Sequence, residues 1–383
     1  MKIAYLAENY FPTLGGVQEH IYHLTRHMRR AGHDAQVLTG LPDVDVWRGP
    51  PDEGWVRRVG RSRRYSVMGS RTTFTFGPSV LRRLRQLLHD ERFDLVHVHA
   101  PCDMGLPMLL YPLYRGPVVA TLHSPMNDPS PLRWLAAPYY GRVLRRCAAV
   151  LSVSEAARAA MARYARFDSQ IVPNGVDTAA LAAGKPLERF RDGKTNVLML
   201  GRLEPRNGPD IMFQALPRLL ARHPNVRLLV AGEGKNGTAE HEAMVPPEVR
   251  ERVVFLGAVY EERADVYATA DLVVLPARSG SFSIIILEAL AAGRTVVSTP
   301  FVKGWQNERH FRPVRVAPDF TPEAVADTVA EALAADPASR VAEGRAIAQE
   351  FDWSAVAAQV ADVYRKVLAA PSSSSSSSAT VSA

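Results

Sequence analysis

Three groups of residues in this sequence have the types and placement to do chemistry. The first is Glu288, within PARSGSFSIIILEALAAGRTVVSTP at 276–300. That stretch reads as a strand end, a loop with Ser279, Gly280 and Ser281, a helix carrying the carboxylate, and a second strand over Thr295–Ser298. A carboxylate near the start of such a helix, beneath a strand's carboxyl end, sits where open α/β sheets bind ligands. The second group is histidine. His123 ends the apolar run VVATLH, just before a polar loop, and is either a site residue or an imidazole satisfied by backbone groups. His97 and His99 alternate along LVHVH and so share one face. They read as scaffold or pocket wall, because the sequence offers no third ligand for a metal. The third group is the pair Gly15-Gly16 between a strand and a helix, where free N–H groups and the helix dipole favour an anion. A tight turn alone would also call for glycine there, and no GxGxxG fingerprint is present.

Holding these groups requires a particular scaffold. Lys2–Ala7 reads as a strand, 17–31 as a helix with apolar residues three to four apart, and Ala35–Leu38 as the next strand. Strands follow at Leu95–His99, Val118–His123 and 150–153, with helices at 132–147 and from Glu155. After a polar stretch at 184–193, expected as a linker, the alternation restarts with strands near 197–200, 227–231, 253–256 and 272–276. Helices over 322–335 and 354–369 close it. Strands alternating with helices indicate parallel sheets covered on both faces. At 383 residues the chain exceeds what one core usually serves, so two doubly wound Rossmann-like domains are expected, with a ligand cleft between facing sheet ends. Their expected limits are 1–183 and 184–352. Residues 353–370 form a last helix that packs back toward the first domain, and the Ser-rich stretch 371–383 is a disordered tail.

Composition narrows the partners. An apolar content of 47% places the chain among globular proteins, and no apolar run is long enough to span a bilayer. The N-terminus reads as a first strand, not a signal peptide. Two cysteines without metal-type spacing suit free thiols in a reducing cytoplasm. The net charge of +7 suits anionic partners or is merely compositional. Its densest segment holds Arg57, Arg58, Arg61, Arg63, Arg64 and Arg71, followed by a helix over 78–90 with Arg82, Arg83 and Arg85 opposite its leucines. A basic amphipathic helix beside an arginine-rich loop fits an anionic membrane surface, and equally a core-packed helix with a solvated face. Nucleic acid is not expected, since no recognition motif or interleaved aromatics accompany the arginines.

Ordered motifs run along nearly the whole chain: GGVQEHIYHLTRHMRRAGHDAQVLTG at 15–40, VHVHAP at 96–101 and IVPNGVDTAAL at 171–181. LGRLEPRNG at 200–208, LLVAGEG at 228–234, VVFLGAV at 253–259, SFSIIILEALAAGRTVVST at 281–299 and FDW at 351–353 complete the set. This series resembles the retaining GT-B glycosyltransferases of family GT4, and among them the bacterial phosphatidylinositol mannosyltransferases. The resemblance implies an α/β fold of GT-B type and transfer of a sugar, mannose by the nearest likeness, from a GDP- or UDP-sugar to a glycan or lipid-linked acceptor. It implies no metal and no cofactor beyond the nucleotide-sugar substrate, and a cytoplasmic enzyme, peripheral at the inner face of the membrane. By that likeness Gly15 and Gly16 approach the donor diphosphate, His123 sits at the reacting sugar, and Arg202 neutralises the leaving group. Glu288 holds the ribose, while Ser279, Ser281 and Phe282 line the donor site. Two positions depart from the family pattern. Its Lys is Asn207 here, with Arg206 alongside, and the first Glu of its E-x7-E pair is Gly280. The competing expectation is therefore a GT-B nucleotide-binding or partner protein of weak or absent activity; an epimerase or a glycogen-synthase-like enzyme is a third.

Overall fold

The structure is a computed structural model that describes residues 1–13, 15–43, 47, 49–67, 70–123, 131–235, 237–280, 283–304 and 307–370. Ser281, Phe282 and the Ser-rich tail, all singled out in the sequence, lie outside the described residues. Contacts divide the chain into two units. One comprises Met1–Ser152, Met161–Val172 and Ala357 onward; the other comprises Val153–Ala160 and Pro173–Val356.

The first unit is built on eight strands: β1 (Lys2–Ala7), β2 (Asp34–Pro42), β3 (Val56–Val67), β4 (Ser70–Phe74), β5 (Leu95–His99), β6 (Val118–Leu122), β7 (Ala149–Ser152) and β8 (Gln170–Ile171). They lie in the order β4-β3-β2-β1-β5-β6-β7-β8, parallel except for the β3–β4 pair. β5 and β6 are buried along their whole length, as a sheet covered on both faces requires. The second unit holds β9 (Thr195–Leu200), β10 (Val226–Ala231), β11 (Val253–Gly257), β12 (Leu272–Leu275), β13 (Thr295–Ser298) and β14 (Arg315–Val316). Their order is β11-β10-β9-β12-β13-β14, all parallel. In each unit the strand order reverses beside the first strand, between β1 and β5 and between β9 and β12. Those two points are where an open α/β sheet offers a crevice for ligand.

Three readings of the sequence change, and two helices appear where none was read. The arginine-rich segment is not a loop: β3 runs beside β2 and turns back through β4 at the sheet edge. Charged side chains are tolerated there because each half of β3 has a strand on one side only, β2 along Val56–Ser62 and β4 along Arg63–Val67. The proline-containing segment Leu106–Leu113 is a helix. So is Ala338–Glu350, whose Gly344 lies so near Leu290 that a Cβ would come within 2.7 Å of that side chain. The stretch 184–193 is not a free linker. Phe190 sits in the second core, and backbone N–H groups of Lys185 and Leu187 donate to Asp265 and Thr269. Residues 173–183, placed by sequence in the first domain, group with the second unit, where Thr178 donates to Asp352.

The helix Pro78–Glu91 forms as expected. Val80, Leu84, Leu87 and Leu88 are buried, whereas Arg82, Arg83 and Arg85 are exposed. Arg58 is structural, donating to the carbonyls of Gly40 and Phe11 and to both oxygens of Asp52.

Candidate active site

At the switch point of the first unit, the loop after β1 carries Glu8 and then the Gly15-Gly16 turn into the helix Gly16–Arg30. Gly15 has extended backbone (φ 168), so its glycine is not demanded by a left-handed turn. The long helix does present its first N–H groups there, as an anion site needs.

Glu8, which the sequence did not single out, is buried at the same point. Its carboxyl accepts from the Thr75 hydroxyl (2.7 Å) and the Leu106 N–H (2.8 Å). Gly105, at φ +96, makes room for it, since a Cβ there would lie 2.2 Å from Glu8 Oε2. Burial outweighs those hydrogen bonds and raises the carboxyl to about 7 from its usual 4.5. In the unfolded chain the proton leaves first, so between about pH 4.5 and pH 7 the native state holds more protons. Stability then falls as pH rises through that window, by on the order of 3 kcal/mol, and levels off above it. Thermal melts of the wild type and Glu8→Gln from pH 4.5 to 8 should diverge accordingly, the variant lacking this part of the decline. Parallel melting curves would show that Glu8 is ionised throughout.

The histidines form one cluster. His97 and His99 stack with centroids 4.4 Å apart, and His99 lies nearly parallel to His123 at 5.2 Å. His20, from the first helix, meets His123 edge-on at 4.9 Å. Tyr364 donates to the Tyr5 hydroxyl (3.2 Å), so His97 Nδ1–H donates to the Tyr364 oxygen (2.6 Å) and His97 Nε2 accepts from Thr121 (2.7 Å). His97 is thus fully used as scaffold. His99 Nδ1 and His123 Nε2 are 2.9 Å apart. Burial drives the pKa of His97, His99 and His123 well below the usual imidazole value, so all three are neutral. The third histidine that the sequence did not supply is His20: one nitrogen each of His20, His99 and His123 lies within 4.8 Å of the others. Its signal was the GGVQEH spacing, which puts His20 one turn into the helix behind the glycines. The His99–His123 contact is a hydrogen bond with a proton between the two nitrogens.

The second unit gathers its own set. The loop after β9 holds Arg202 and Arg206, both exposed, with Glu204 bridging them: Oε1 lies 2.9 Å from Arg202 and Oε2 2.7 Å from Arg206. Asn207 does not replace a cation. Its side-chain N–H donates to the Arg202 carbonyl at 2.6 Å and so braces the loop. Arg278, after β12, donates to both oxygens of Asp210 and to the Pro205 carbonyl. Gly208, at φ +69, opens the helix Pro209–Arg222. Ser279 is half-buried on the β12 loop, and Gly280 beside it faces a ring: a Cβ at Gly280 would lie 3.2 Å from Phe301.

Glu288 sits within the helix Ile284–Ala291 and is buried. Its Oε2 accepts from the Tyr267 hydroxyl (2.7 Å) and from Arg263, whose Nη2 is 2.9 Å away and Nε 3.1 Å away. Arg263 and Tyr267 stand four apart on one helix and so face Glu288 together. Burial first, and the Glu288 charge second, hold the Tyr267 hydroxyl protonated as a donor. Sequence reading passed over both partners.

Two parallel-sheet units in one chain, each with polar and charged groups at its switch point, have the architecture of the GT-B fold. Solved structures share that fold. Sucrose-phosphate synthase from Thermosynechococcus elongatus aligns at TM-score 0.72 with 19% identity, covering 97% of this chain and all of that one. HepE from Anabaena, solved with UDP and glucose, aligns at 0.72 and 19%, covering 95% and 99%. Residues 14–180 match the model for Glycosyltransferase Family 4, and 194–335 match Glycosyl transferases group 1. The phosphatidyl-myo-inositol mannosyltransferase of Mycolicibacterium smegmatis is 32% identical over 377 residues, 96% of this chain and 94% of that protein. The chain belongs to glycosyltransferase family 4.

Proposed function

We propose that the protein transfers a hexose, with mannose the first sugar to test, from a nucleoside-diphosphate donor to a membrane-lipid or lipid-linked acceptor, with retention at the anomeric carbon. The observation that carries this reading is the loop after β9. It presents Arg202 and Arg206 to solvent at the switch point, followed by the N-terminus of the helix Pro209–Arg222. Departure of a nucleoside diphosphate leaves negative charge, which fixed cations and a helix N-terminus stabilise. Glu288 orients the nucleotide through its ribose hydroxyls, and His123 meets the sugar. Gly15 and Gly16 bind phosphate through the first N–H groups of their helix, and Ser279 hydrogen-bonds a sugar hydroxyl. Arg206 takes the part of the cation that Asn207 does not supply.

The acceptor class rests on the mannosyltransferase relatives, whose name specifies phosphatidyl-myo-inositol. Among the described residues no helix is long and apolar enough to cross a membrane. An acceptor in a bilayer would therefore be reached peripherally, and the exposed arginines of the Pro78–Glu91 helix offer the charge for an anionic surface.

Transfer and hydrolysis measured across GDP- and UDP-sugars, with phosphatidylinositol vesicles and a polyprenyl phosphate as acceptors, test the proposal. Turnover is expected on at least one donor, and Arg202→Ala should lower kcat by about 10²–10³, as loss of one transition-state donor does. Tight nucleotide binding without turnover on any donor would overturn transfer. Inversion of the anomeric configuration would overturn the retaining reaction.

A further inference from the structure

We infer that His99 is a positioning residue that donates its Nδ1 proton to His123 Nε2, fixing His123 as the Nδ1–H tautomer. The inference starts from an orphaned atom. His99 is 1% exposed, and its Nε2 is buried with no hydrogen-bond partner among the described residues. A neutral imidazole has one N–H and one bare nitrogen. With the proton on Nε2, His99 would bury an N–H with nothing to accept it, and orphaned buried donors are rarer in folded proteins than under-satisfied acceptors. With the proton on Nδ1, the N–H points at His123 Nε2, 2.9 Å away, and the orphan is only a lone pair. His123 must then accept at Nε2, so its own proton stands on Nδ1, the tautomer that a free histidine side chain favours less.

The scaffold holds this arrangement rigidly. The His99 ring stacks on His97, which is pinned by Thr121 and Tyr364, and it faces Tyr5 at 5.8 Å. Burial keeps both partners neutral, so no second proton intervenes. The chemical consequence rests on the proposed sugar-transfer role of His123. With its Nε2 lone pair engaged, His123 does not abstract a proton. It offers Nδ1–H as a hydrogen-bond donor to an oxygen of the sugar or the departing phosphate.

The test is nitrogen-detected NMR of the full chain labelled with ¹⁵N-histidine, without donor, at pH 7.5, with His123→Gln used to assign the resonance. The expected His123 spectrum has a protonated Nδ1 and a bare Nε2. His99→Phe should return His123 to the Nε2–H form. His99→Asn, whose amide N–H occupies the place of Nδ1–H, should keep the Nδ1–H form. Transfer should fall about 10–100-fold in His99→Phe, with much of the loss recovered in His99→Asn. An Nε2–H tautomer of His123 in the wild-type chain overturns the inference, whatever the variants do. An Nδ1–H tautomer in a chain that turns over no nucleotide sugar upholds the inference and overturns the proposed function.

Discussion

Gly232→Ala is expected to leave the second unit unfolded. Gly232 follows β10 at φ +152, and a Cβ there would lie 1.8 Å from the carbonyl oxygen of Gly201, the residue after β9. The obstacle is backbone, so no rotamer change relieves it. Gly208, at the start of the helix Pro209–Arg222, is as tightly held, since a Cβ there would lie 2.0 Å from the carbonyl oxygen of Pro276, the residue after β12. The ends of β9 and β10, and the β9 loop and the end of β12, therefore approach as closely as glycine permits, and that approach sets the loops carrying Arg202, Arg206 and Arg278. We expect a loss of more than about 4 kcal/mol, beyond the ordinary range for a single substitution. Soluble yield and thermal melting read it. Gly237→Ala is the control, with φ +85 but nothing within 4 Å of an added Cβ, and should cost only about 1–3 kcal/mol from backbone strain. Equal stability of the two variants would show that the crowding at Gly232 is not what the fold depends on.

Glu288→Ala is expected to act on stability and on ligand together. Removing the carboxylate strips Arg263 and the Tyr267 hydroxyl of a shared acceptor in a buried place. Breaking a buried ion pair costs about 3–5 kcal/mol. Arg263 keeps 24% of its side chain exposed, so the lower end applies. At about 2–4 °C per kcal/mol for a unit of this size, the midpoint should drop roughly 6–12 °C. A nucleotide that binds the native state raises the midpoint by mass action, and that rise should vanish in the variant. Differential scanning fluorimetry with GDP and UDP separates the two effects. A lowered midpoint with the nucleotide shift intact would make Glu288 a structural residue alone.

Much of this was legible in the sequence, for physical reasons that also explain the rest. Fully buried strands such as LVHVH and VVATL announce themselves as short apolar runs, and β5 and β13 fall where the pattern put them. β3 did not, because each of its halves is paired on one side only, and such a strand can carry arginines where a central one cannot. The helices Leu106–Leu113 and Ala338–Glu350 were hidden by Pro112 in one and by Gly344 in the other. Those residues argue against a helix unless tertiary packing is known. Glu288 and the histidines were visible because their residue types are rare on buried elements. Their partners were not: Arg263 and Tyr267 come from a different helix, and Glu8 meets Thr75 and Leu106 only after the sheet has formed. Pairing across elements leaves no local signature. The departures at Asn207 and Gly280 were visible as differences, yet only the structure shows what fills them, a brace to the Arg202 carbonyl and the ring of Phe301.

Tyr364 carries a consequence for how the molecule is made. It is fully buried in the first unit, touching His97 and Tyr5, although more than half of the chain separates it from them. During synthesis the strands β1–β8 leave the ribosome long before the residue that caps their buried histidine. At about 5–20 residues per second the wait from Val172 to Tyr364 is roughly 10–40 s. The first unit therefore cannot complete its core until the second has been synthesised. The second unit, contiguous but for one short segment, is made while the first still exposes an open seam over its buried histidine.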